Sequence, residues 1–183
     1  MARNTISRSM HDVGLAAWFG GTLANAVALN TAASEAGDSR STGRVANAGW
    51  DRWTPVNAAA IGAHLVGSIG QLVANRDRLQ AQQGVASMSL VKTALTVAAL
   101  GATAYSRTLG QKVSQQQDVP AESGTSPTSS TPADVAKAQK QLAMLQWAVP
   151  ALTGALVVVS SFAGEQQRSN EVHKGIAARL MRN

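Results

Sequence analysis

The sequence predicts an all-α fold, an integral membrane four-helix bundle, and three observations predict it. Only 14% of the 183 residues are charged, against about 25% in a soluble globular domain. Those charges avoid three long stretches: 22 residues between Asp12 and Glu35, 23 between Arg52 and Arg76, and 24 between Lys140 and Glu165 carry none. A bilayer core of about 30 Å is crossed by roughly 20 helical residues, so each stretch has the length of a span. A fourth, Met88 to Ser106, holds one charge, Lys92, near one end, where a long stem reaches the headgroups. A soluble helical bundle would instead carry charge along one face of every helix at a 3.6-residue period.

The predicted spans are 13–34, 55–75, 88–106 and 142–164. The first two are rich in Ala and Gly and contain Asn25, Asn30, His64 and Gln71. Such segments gain little from lipid and suit close packing, because small residues let backbones approach and polar side chains bond across helices. Ala17, Gly21 and Asn25 recur at four-residue spacing, as do Ala59, Ala63 and Gly67, and Ala94, Ala98 and Ala102. With Gly20, these are the expected packing positions. Arg3 and Arg8 followed by Ala-x-Ala triplets at 24–28 have the look of a signal peptide. The apolar run exceeds the usual signal core of about 7–15 residues, so an uncleaved span is expected.

The first connection is polar until Trp50 and Trp53 bracket Arg52, just before Pro55. Tryptophans flanking a span sit at headgroup level, and proline suits a first helical turn. Trp50, Trp53 and Arg52 are therefore expected at the interface. The stretch QQQDVPAESGTSPTSSTPAD has few bulky apolar residues and predicts a flexible outer loop over most of 107–136. Pro150 is expected to adjust packing in the last span. Residues 165–183 read as a basic tail, with Val172, Ile176 and Leu180 in one stripe. The whole chain, 1–183, reads as one transmembrane domain.

Four spans put both termini on one side. That side carries nine Lys and Arg (Arg3, Arg8, Arg76, Arg78, Lys92, Arg168, Lys174, Arg179, Arg182) and the other carries seven. The positive-inside rule makes both termini cytoplasmic. Eleven Arg to five Lys and abundant Ala suit a bacterial cell inner membrane.

The absence of Cys removes thiolate metal sites, disulfides and cysteine nucleophiles. No phosphate loop, dinucleotide fingerprint or HExxH helix occurs, and no nucleic-acid module is evident. His64 lies deep in an uncharged span, where an ionisable residue marks a functional hypothesis by default. It can ligate haem iron or copper, relay a proton, or bond a neighbouring helix, with Asn25, Asn57 or Thr96 as expected partners. His11 precedes the first span.

HDVGLAAWFGG sets six residues between His11 and Trp18, followed by Phe19 and the Gly20–Gly21 pair. This resembles the opening helix of copper-resistance-D-type membrane domains and of related four-helix families. Membrane protoporphyrinogen oxidases with a four-helix bundle begin in a similar way. The resemblance implies haem or copper at His11. NAGWDRWTPVNAAAIGAHL and LQWAVPALTGAL are similar to segments of small bacterial four-span proteins without an assigned activity. The expected function is that of a structural or accessory membrane subunit, with no enzymatic activity evident. Its partners would be the lipid bilayer and other membrane subunits or itself. A haem- or copper-binding redox protein using His11 and His64 is the second expectation, and a small-solute transporter the third.

Overall fold

A computed structural model describes residues 4–76, 84–116 and 119–165. Four helices carry the fold: α1 (Thr5–Ala33), α2 (Ser39–Ala74), α3 (Val85–Ser114) and α4 (Ala133–Glu165), each long and apolar enough to cross a membrane. The basic tail expected at 165–183 lies outside the described residues apart from Glu165.

Every helix outruns the span predicted for it. The largest correction concerns the first connection, which shrinks to the turn Ser34–Asp38. Asp38 caps α2, its side chain accepting from the backbone N–H groups of Arg40 and Ser41, each at 3.0 Å. Gly37 supplies the turn with a φ of +90°, a conformation glycine adopts without penalty. Pro55, expected at a helix start, therefore lies well inside α2, where its missing N–H leaves the carbonyl of Asp51 without a helical donor. At 1.5 Å per residue the 36 residues of α2 reach about 54 Å, far beyond a hydrocarbon thickness of about 30 Å.

The four-residue steps Trp18, Thr22, Ala26 and Asn30 all fall on buried positions of α1. In an unbroken α-helix each such step drifts about 40° around the axis. A π-helical turn at Asn25–Leu29 takes up that drift and keeps Asn30 facing inward.

The Ser/Pro-rich connection between α3 and α4 is also more ordered than expected. Its first residues extend α3 to Ser114, and a short antiparallel hairpin follows, β1 (Ala121–Ser123) with β2 (Ser126–Pro127). Val119, Ala121, Thr125 and Thr131 are buried there. The hairpin caps one end of the bundle because Gly43 of α2 leaves room for the carbonyl of Val119; a Cβ would collide with it. Beneath the cap, Leu109, Val113, Val119, Val135 and Ala138 form one apolar core. Trp18, Ala60, Ala99 and Val149 form a second, deeper in the bundle.

Helix α1 packs on α2 along much of its length and also on α4, and α4 packs on α3. Helices α2 and α3 meet only sparsely. The bundle is consequently open on the α2–α3 side.

Candidate functional site

Small residues bring α1 and α2 together, and the close approach places two histidines side by side. A Cβ on Gly14 would come 2.5 Å from both the carbonyl of Ala60 and the backbone nitrogen of His64. A Cβ on Gly67 would meet the backbone of His11 and Ser7. The packing face of α2 is thus Ala60, His64 and Gly67. Ala59, expected on that face, is exposed, and Ala63 is half-buried. On α1, Gly21 lies under the indole of Trp53, whereas Gly20 is exposed with nothing nearby.

His11 and His64 are both fully buried. Their ring centres stand 4.6 Å apart at 45°, and Trp18 lies 6.1 Å from His64. His11 Nδ1 donates to the Asp12 carboxylate at 2.7 Å. His64 Nδ1 donates to the His11 carbonyl oxygen at 3.3 Å, so its partner is none of Asn25, Asn57 and Thr96. Both acceptors are oxygens, so each neutral ring carries its proton on Nδ1 and leaves Nε2 as a bare lone pair. Neither Nε2 has a hydrogen-bond partner among the described residues.

That arrangement tests the haem and copper expectations. Two imidazoles bound on opposite faces of one iron, each through a bond of about 2 Å, hold their ring centres roughly 6 Å apart. At 4.6 Å the pair does not bracket a porphyrin. Fixed Nδ1 donors do favour metal ligation through Nε2. However, no group of three His, Cys, Asp or Glu suited to a metal ion exists among the described residues. The pair offers two nitrogen ligands.

A second polar constellation lies towards the hairpin end. Trp50 Nε1 donates to Asn30 Oδ1 at 2.9 Å, and Asn30 Nδ2 donates to Gln146 Oε1 at 2.7 Å. Gln146 Nε2 in turn reaches the Thr125 hydroxyl at 3.1 Å. One network therefore ties α2, α1, α4 and the hairpin. Trp50 and Trp53, expected as interfacial anchors, are half-buried against α1. Arg52 stays exposed and donates to its own helix, at the carbonyl of Ala48, while Asp51 pairs with Arg107 across to α3 at 3.1 Å. Trp18 Nε1 donates to Thr103 Oγ1 at 3.2 Å, linking α1 to α3.

The gap between α2 and α3 holds two cavities. One, of about 310 Å³, runs from Ile61 and Leu100 towards Trp50, Trp53, Arg107 and Gln146. The other, of about 340 Å³, runs from Leu65 and Leu100 towards Gln71, Asn75 and Lys92. Sequence reading missed this open side, since it depends on which helices become neighbours. No protein-family model, curated protein or solved structure matches the chain.

Proposed function

We propose that this protein is a non-enzymatic accessory subunit of a bacterial inner membrane, assembling with other membrane helices through α3. The observation that carries the reading is the exposure of that helix. Only 6% of its most apolar stretch is buried in the bundle, against 28% for α1. Leu90, Val97 and Tyr105 are exposed along α3, and Gly101 has open space around it. Ala94 and Ala98, small residues of the kind that let a second helix approach, are exposed as well. The excess of Lys and Arg at the end holding the N-terminus favours cytoplasmic termini.

Gentle detergent extraction followed by co-purification tests the reading. The native protein is expected to bring down a membrane partner or further copies of itself. Gly101→Leu, at a position where a Cβ meets nothing within 4 Å, is expected to leave the fold intact and release that partner. A lone native monomer with nothing bound would overturn it.

A further inference from the structure

We infer that the cavity between α2 and α3 at the N-terminal end of the bundle seats one anionic phospholipid, its chain between the helices and its phosphate at Lys92. The inference goes beyond assembly through α3 and rests on different residues. The cavity, about 340 Å³, is walled on its inner reach by Leu65, Ile69, Val97 and Leu100. Helices facing lipid across such a gap cannot leave it empty, and an acyl chain is the occupant that apolar walls accept from the bilayer.

The chemistry changes along the cavity. Lys92 and Gln71 stand on its opposite walls, one on α3 and one on α2, and no Asp or Glu lines it among the described residues. Gln71 Nε2 is buried without a hydrogen-bond partner among the described residues, an amide donor with its valence unmet. Asp12, whose charge acts on Lys92, already accepts from His11 Nδ1. An ammonium and an amide N–H are complementary to phosphate oxygens, and the ammonium repels the choline that a zwitterionic lipid carries beside its phosphate.

Depth agrees with this assignment. Eight residues separate Lys92 from Leu100, about 12 Å along α3. The middle of the 88–106 span is Val97, about 7.5 Å along the helix from Lys92, and the Lys92 stem carries its ammonium from there towards the edge of a hydrocarbon half-thickness of about 15 Å. Arg8 and Arg76 belong to the same end of the bundle. Basic pockets between helices at a cytoplasmic face are where anionic headgroups are held.

Native mass spectrometry of the detergent-solubilised protein, with equal amounts of phosphatidylglycerol and phosphatidylcholine added, reads the site. Phosphatidylglycerol adducts are expected to exceed phosphatidylcholine adducts by about fivefold, the ratio one membrane-surface cation supplies. Lys92→Ala is expected to abolish the preference and Lys92→Arg to keep it, which separates charge from a folding defect. Ile69→Trp, filling the cavity, is expected to remove both adducts. Equal retention by the native protein, or an unchanged preference in Lys92→Ala, would overturn the inference. Displacement of the lipid by glycerol phosphate would overturn it too, assigning the rim to a soluble phosphate. So would a dimer that Ile69→Trp dissociates, which would assign the cavity to a second copy.

Discussion

His64 donates through Nδ1 to the backbone carbonyl of His11 at 3.3 Å, a bond that crosses from α2 to α1 at their closest approach. The ring of His64 also fills the space between His11 and Trp18. Hydrogen bonds across membrane helices contribute about 0.6 kcal/mol on average. Truncating a buried ring costs more, about 2–5 kcal/mol, because a cavity remains. His64→Phe, which keeps a ring and loses the bond, is expected to cost less than His64→Ala. Unfolding in mixed detergent micelles, followed by tryptophan fluorescence, ranks the two; equal losses would show that ring packing contributes nothing.

The 4.6 Å between the histidine rings predicts a spectrum as well. Purified protein supplied with haem is expected to show no bis-histidine Soret shift, and His11→Ala to leave the spectrum unchanged. A low-spin band lost in both His11→Ala and His64→Ala would demonstrate that the rings separate to admit the group.

Close packing at Gly14 gives the sharpest contrast between neighbouring glycines. Gly14→Val is expected to destabilise the bundle by about 1–3 kcal/mol through overpacking against Ala60 and His64. Gly20→Val, with nothing within 4 Å, is expected to change stability by no more than about 0.5 kcal/mol. The same denaturation measurement distinguishes them.

Asn30 is the junction of the polar network at the hairpin end. Asn30→Ala leaves Trp50 Nε1 and Gln146 Oε1 unpaired and is expected to cost about 1–3 kcal/mol. Adding Gln146→Ala is expected to cost less than the sum of the two single losses, since the partners belong to one network. A strictly additive double variant would refute the coupling.

Acid weakens the cap of α2. Hydrogen bonds from the Ser41 hydroxyl and backbone, then from the Arg40 backbone, hold the Asp38 carboxyl below its ordinary range. A depressed folded value means that the cap contributes fully above the ordinary carboxylate range and is lost as pH falls through the folded value. The thermal midpoint of the native protein is expected to fall more steeply below about pH 5 than that of Asp38→Asn, which cannot titrate.

The charge gaps revealed four spans because lipid leaves that mark on composition, and no comparable mark exists for helix outside lipid. Ser39 to Asp51 is helical yet polar, so it carries no span signal; its trace is the buried small-residue face of Thr42, Gly43 and Ala46. His11 and His64 were legible together as candidate ligands, but the bond between them was hidden for a related reason. Its partners are 53 residues apart, and only the antiparallel register of α1 and α2 joins them. That register follows from the tight turn at Ser34–Asp38. Reflection about the turn sets residue 11 opposite the low sixties, so Gly37 and Asp38 were the available signal. Ala59 and Ala63 were placed one position off the true face because several alanines in succession permit more than one stripe.

The length of α2 has a topographic consequence. Roughly 25 Å of helix beyond the hydrocarbon lifts the tip of the bundle, with Gly37 at one turn and Ser129 and Ser130 at the other, clear of the headgroups. Proteases and antibodies approaching from that side of the membrane would reach these tips first, and an epitope inserted after Ser129 would reveal, in intact cells against permeabilised ones, which compartment they occupy.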